Sequence, residues 1–237
     1  MASPDPLPGQ AKLRLATAIR ACVENGERLL DDALMLEFQT PPASKLALSL
    51  IAQEEFAKAF LLFLVREEVV PWNLNILRAL NDHACKQLVG MIIEYVQPHW
   101  ETMEELEAFV GREVQLGDRF PSEIASALNI LRFEKIGRWE SRNWGWDEPP
   151  QYDTTAAHVA EGRRDRIKQD ALYVRLSREL HIVSTPLGTP SEQVDAEFSR
   201  AGRFGRFARA LITDEPDPGF NYKKVRSAFE LLFARSG

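Results

Sequence analysis

Apolar residues recur every three to four positions along most of this chain, the period of helices that bury one face. Leu13, Ile19, Val23, Leu30, Leu34 and Phe38 mark such a face and predict a first helix over about 10–38. Pro41 and Pro42 end it and open a second, which runs to about Val70 and stops before Pro71. A third helix is expected over 73–96, ending by Pro98. A shorter one over 101–112 begins with acidic residues, as the helix dipole favours. Pro121-Ser122 opens another, ending near Trp139 or Glu140. Residues 141–153, with Trp144-Gly145-Trp146 and Pro149-Pro150, read as a non-helical loop. A long helix is then expected from Thr154 to Leu180, a turn at Thr185–Pro190, and two last helices near 191–212 and 220–235. No stretch alternates with the period of two that marks a strand. The pattern predicts an all-α fold. Residues 1–140 form an N-terminal bundle, 141–153 a Trp/Pro loop, and 154–237 helices packed on the same core.

The second predicted helix carries the most informative departure from this pattern. Its apolar run, 46–65, is long enough to span a bilayer, but Glu54, Glu55 and Lys58 stand at its centre, where charge is most costly. A core helix with no membrane partner is therefore expected. The first residues lack the basic and apolar regions of a signal peptide. The two cysteines, Cys22 and Cys85, offer no disulfide framework and no C-x-x-C spacing. Cytoplasmic residence follows as the expectation, with Cys85 read as a small buried apolar residue.

Charges inside a core stripe need partners, because an unpaired buried charge is strongly unfavourable. Glu54 and Lys58 are spaced i,i+4 and Glu55 and Lys58 i,i+3, so either pair can meet on one face. A second cluster, Arg78 to Lys86, follows just past Pro71. A structural salt bridge at a helix seam fits these residues. So does a site in which Glu54 or Glu55 orients Lys86, Arg78 or His83 and fixes the imidazole tautomer. Adjacent carboxylates point about 100° apart on a helix, and no Glu-x-x-His pair accompanies them, so no metal and no other cofactor is expected.

Arg78-x4-His83 has the spacing of an Arg-x4-6-His ribonuclease motif, with Asn81 and Asp82 inside it; Arg175-x5-His181 fits the same pattern, so spacing alone does not choose between them. The chemistry suits RNA. An imidazole can accept the ribose 2′-OH proton, and an arginine can hold the phosphate and stabilise transition-state charge.

The net charge is −6, which argues against polyanion binding by the bulk surface, but residues 1–120 hold −7 of it and 162–209 carry a surplus of +4. Within that basic part, Arg200, Arg203, Arg206 and Arg209 recur every three residues beside Phe198, Phe204 and Phe207. Such a stripe suits RNA binding along a phosphate backbone, and equally the solvated face of an amphipathic helix. Arg163, Arg164, Arg166 and Lys168 carry the same two readings. Trp139, Trp144 and Trp146 suggest a turn anchored by aromatic packing, or a platform for bases.

The stretch Asn25-Gly26-Glu27-Arg28-Leu29-Leu30-Asp31-Asp32-Ala33 through Gln53-Glu54-Glu55-Phe56-Ala57-Lys58-Ala59 resembles the AbiV family of bacterial abortive-infection proteins, placed among HEPN-like helical domains. The second part looks like the family's E-E-x-x-K signature. His83-x-x-Lys86 is similar to its H-x-x-K element, and Leu172-Tyr173-Val174 to its L-Y-V segment, although Arg175 stands where an Asp commonly follows. Ala79 likewise replaces the polar residue that usually follows the motif arginine of HEPN ribonucleases. The resemblance implies a HEPN-like helical bundle with additional C-terminal helices. It also implies a metal-independent antiphage endoribonuclease working as a homodimer, two copies of the third helix facing across a cleft. Arg78, His83 and Lys86 would then be catalytic. Glu54, Glu55 and Lys58 would support them, with Asn81 and Asp82 close by. RNA is the candidate substrate, and a phage-encoded activator or target protein a candidate partner. The alternative is a non-catalytic protein that captures a phage or translation component and blocks protein synthesis. Catalysis requires Arg78 and His83 to share an accessible cleft.

Overall fold

The computed structural model describes residues 8–99, 105, 108–112, 120–136, 151–212 and 222–233. Its first two helices, α1 (Gly9–Met35) and α2 (Ala43–Arg66), run antiparallel, with Lys12 paired to Glu68 at one end and Lys45 to Glu37 at the other. α2 is buried on nearly all sides and is the axis of the molecule. Its apolar residues occupy nearly every side, as a helix in the middle of a core requires. Both helices stop a few residues before their predicted ends at 38 and 70.

The third predicted helix is two. α3 (Leu74–Asn81) starts under the Asn73 side chain, which accepts from the backbone N–H groups of Asn75 and Ile76 at 3.0 Å. It ends at Asp82, whose backbone is extended (φ −85°, ψ 121°). The same Asp82 then caps α4 (His83–Val96), accepting from Cys85 N–H at 3.0 Å. An aspartate competes with the helix for backbone donors, so one residue closes one helix and opens the next. α5 (Ser122–Asn129) continues as a π-helical stretch to Ile136, from which Lys135 reaches Asp82 at 3.6 Å.

The expected helix over 154–180 and the expected absence of strands are both corrected. α6 (Thr154–Ala160) and α7 (Arg163–Leu172) are separated at Gly162, which takes a left-handed conformation (φ 79°) open to glycine. After α7 the chain forms an antiparallel ribbon, β1 (Arg175–Leu176) with β2 (Ile182–Ser184). Strands this short are too brief to show an alternating pattern. α8 (Ser191–Ala210) and α9 (Tyr222–Phe233) complete an otherwise all-α architecture.

One core cluster runs from Ile19 to Leu232, gathering α1, α2, α4, α8 and α9 around Phe56, Phe60 and Phe63. Phe60 meets Phe207 and Phe229 at ring separations of 5.6 and 5.3 Å. Phe56 is fully buried between two glycines. A Cβ on Gly26 would stand 2.4 Å from its ring, and one on Gly205 3.1 Å. Those glycines let α1 and α8 close on α2. Among the described residues no helix is long and apolar enough to cross a membrane. Most of the predicted 101–112 helix, the Trp139–Trp146 region and residues 141–150 of the predicted loop lie outside the described residues.

Candidate functional site

Glu54 is 4% exposed, two residues before Phe56 on the central helix. Two elements converge on its carboxylate. From the first turn of α4, His83 Nδ1 lies 2.6 Å from Oε2 and Lys86 Nζ 3.2 Å from the same oxygen. From α7, Lys168 Nζ donates to Oε1 at 2.8 Å; Gln87 Nε2, again from α4, donates to that oxygen at 3.4 Å. Asp165, one turn before Lys168, accepts from its ammonium at 2.8 Å. Two carboxylates and two ammoniums thus meet in a largely buried place, with the His83 side chain half exposed above them.

Burial pushes the Glu54 carboxyl upward. The Lys168 hydrogen bond, the charges of Lys86 and Lys168, and the His83 hydrogen bond outweigh it, so the group stays ionised below the ordinary glutamate value of 4.5. Asp165 is likewise held down, its burial outweighed by Lys168, the nearby His83 and Gln169. Lys168 is held up: burial opposes its charge, and Asp165 and Glu54 restore it.

At 2.6 Å from an ionised oxygen, Nδ1 must carry the hydrogen and donate it, since two lone pairs would repel at that distance. The Lys168 contact with the same nitrogen, at 3.1 Å, is then an approach of two donors to shared acceptors. In the neutral imidazole this fixes the tautomer, with the lone pair on Nε2.

Glu54, His83 and Asp165 also offer three potential metal-ligand atoms within 4.8 Å of one another. Lys168 Nζ approaches all three, at 2.8, 3.1 and 2.8 Å, so an ammonium already supplies the positive charge that these groups would draw from a cation.

The other sequence-predicted residues fall in different places. Glu55 turns toward α1, bonds Lys58 at 2.6 Å and lies against Cys22, away from Glu54. Lys86, expected to present charge to a substrate, is buried and spends it on Glu54. Arg78 is exposed on α3, one helix before His83, and Asn81 is exposed with its amide on the Leu77 carbonyl. Asp82 is the joint between those helices. In the second Arg–His pair, Arg175 is tied to Asp170 and Ser184, while His181 is exposed in the ribbon turn. The arginine stripe is engaged within the chain: Arg200 and Arg203 pair with Glu94, and Arg209 with Glu27, leaving Arg206 exposed.

Lys168, Asp165 and Gln87 are the members that the sequence pattern did not single out for this site. The available signal was Lys168 standing between Ile167 and Ala171, both packed on α2 and its neighbours.

A family model of HEPN domains, described as AbiV, matches residues 14–206. No curated protein and no solved structure matches the chain.

Proposed function

The chain belongs to the AbiV family of abortive-infection proteins, and from that premise we propose that it is an endoribonuclease that needs no metal ion and works as a dimer. The observation that carries this reading is the half-exposed imidazole whose Nδ1–H is held by a buried, ionised carboxylate. A base oriented through its far nitrogen is the arrangement that general-base catalysis uses, and it contributes typically ~10²–10⁴-fold.

In this mechanism His83 Nε2 accepts the proton of a ribose 2′-OH. The 2′-oxygen attacks the adjacent phosphorus, and the P–O5′ bond breaks. The 5′-oxygen leaves with a proton for which the new imidazolium is the local source. The products are a 2′,3′-cyclic phosphate and a 5′-hydroxyl. Glu54 stabilises the imidazolium between these steps, as a carboxylate does in a catalytic triad. Lys86 and Lys168 hold Glu54 ionised and in place, which makes them positioning residues. Arg78, exposed on α3, is the group for the phosphate, where a guanidinium binds two oxygens at once.

The test is cleavage of total RNA and tRNA by the purified chain in EDTA, with and without lysate from phage-infected cells. Wild type should cut and leave cyclic-phosphate ends. His83→Ala and Arg78→Ala should lose ~10²-fold or more, while His181→Ala stays active. Each variant is checked for unchanged helical circular dichroism. Cleavage that persists in His83→Ala, or a wild type silent even with lysate, overturns the reading.

A further inference from the structure

A cavity of about 420 Å³ lies where α4, α5, α6, α7 and α8 meet. Its size falls within the ~300–1,000 Å³ of small-ligand sites. The apolar walls are Met91, Ile124, Val159 and the Tyr95 ring, which packs against Phe109 and Phe120 at 5.5 and 5.9 Å. Arg164, Arg200 and Glu123 stand among them. An aromatic wall with a few polar groups is what recognition of an unstacked base uses.

The cavity lies along the same two helices as the Glu54 cluster. On α4, Glu94 lines the cavity three turns after His83 and on the same helix face, about 16 Å away. On α7, Arg164 stands one turn before Lys168. It lines both the cavity and a gap of about 10 Å³ that reaches Glu54, Lys86 and Gln87. A strand with its scissile phosphate at His83 therefore needs only a few nucleotides to reach the cavity.

The polar walls discriminate among bases. Arg164 engages Glu197 through one guanidinium nitrogen at 3.2 Å. Arg200 pairs with Glu94, and its buried Nε has no acceptor among the described residues. Glu94 is offset by Arg200 and Arg203 together. Glu123 has no ion pair among the described residues, and the Ser122 hydroxyl reaches it only at 3.5 Å. Donors lacking an acceptor thus share the cavity with a carboxylate lacking a cation.

We propose that this cavity receives a guanine base of the RNA strand cleaved at His83. Guanine offers O6 and N7 as acceptors to a guanidinium, and its N1–H and N2 amino group are two adjacent donors for one carboxylate. Adenine sets an amino group toward the arginines and a bare ring nitrogen toward Glu123. Pyrimidines give the carboxylate one ring N–H at most. The assignment deepens the proposed function and rests on its reading of RNA as the substrate, not on its chemistry.

The test is fluorescence anisotropy at fixed salt with the full chain and short 2′-O-methyl oligouridylates, which lack the internal nucleophile. Each carries one central guanine, inosine or adenine. Wild type should hold guanine at least ~5-fold more tightly than inosine, which lacks the N2 amino group, or adenine. Glu123→Ala should bind all three alike, and a control on the exposed start of α8, Glu192→Ala, should match wild type. If Glu123→Ala loses its helical circular dichroism, the wild-type ranking of the three bases decides. A wild type that binds none of them, or all alike, overturns the pocket. So does guanosine 5′-monophosphate binding as tightly as the guanine strand, which would assign the cavity to a free nucleotide. RNA cleavage judges the chemistry separately. Guanine preference in a chain that does not cut removes the nuclease and leaves the pocket, and cleavage without that preference removes the pocket alone.

Discussion

Replacing Glu54 with glutamine keeps its shape and removes its charge, so it isolates what the carboxylate does. In the wild type, one oxygen receives His83 at 2.6 Å and Lys86 at 3.2 Å, and the other receives Lys168 at 2.8 Å. After the change Asp165 still serves Lys168, but the Lys86 ammonium, 6% exposed, loses the carboxylate it pairs with. The new amide also aims donors at donors. Removing one member of a buried ion pair costs about 3–5 kcal/mol, mainly through the charge left behind. At ~2–4 °C per kcal/mol for a chain of this size, Glu54→Gln should melt roughly 6–20 °C below wild type. The assay is thermal unfolding by circular dichroism over a range of pH. The folded-state pKa of Glu54 lies below its ordinary value of 4.5, so between the two an unfolded chain takes up a proton that the folded one refuses. The wild-type advantage should therefore be full above about pH 5, and shrink as pH falls through the folded value. Adding Lys86→Met should recover part of the loss, because it removes the orphaned charge. A Glu54→Gln variant melting within about 2 °C of wild type, or a gap that widens on acidification, would refute the account of the cluster.

Other consequences are open to direct measurement. Gly26→Ala should destabilise by about 1–3 kcal/mol in urea titration, since its methyl must displace the buried Phe56 ring, and Phe56→Leu in the same chain should relieve part of that penalty. Asp82→Ala removes the cap of α4 beside His83; it should lower stability by about 0.5–2 kcal/mol and RNA cleavage by more than that loss explains. Burial raises the Cys22 and Cys85 thiols to about 11 and 12, so neither should react quickly with a thiol reagent at pH 8, and both should in urea.

The helical period made most of this fold readable because it is a local, repeated signal, and α2 stood out through charges interrupting an apolar run. What escaped was written in single residues. Asp82 splits one predicted helix through its side-chain bond to Cys85 N–H, and Gly162 splits another through a positive φ. Neither changes the apolar period on either side. The same limit applies to the site. Glu54 and His83 could be proposed as partners because burial demands pairing, and α2 and α4 are near neighbours in sequence. Lys168 could not, because 114 residues separate it from Glu54, and its place between Ile167 and Ala171 marks it as near the core without saying what it faces. The arginine stripe shows the complementary limit. Periodicity shows that Arg200, Arg203 and Arg209 share a helix face, but not that Glu94 and Glu27 lie opposite.

The seat of Phe56 has a consequence for how the chain is made. Its two walls, Gly26 and Gly205, are 179 residues apart, and the Lys168 ammonium that completes the Glu54 cluster enters late as well. A growing chain that has left the ribosome only as far as α6 holds Arg78 and His83 but lacks Lys168, Asp165 and the α8 wall behind the central helix. Glu54, which orients the His83 imidazole, then has Lys86 but neither the Lys168 ammonium nor the α8 wall to hold it in place. The charged cluster is therefore completed only after Lys168 has emerged, so the carboxylate on the second helix waits for a cation that lies 114 residues further along the chain.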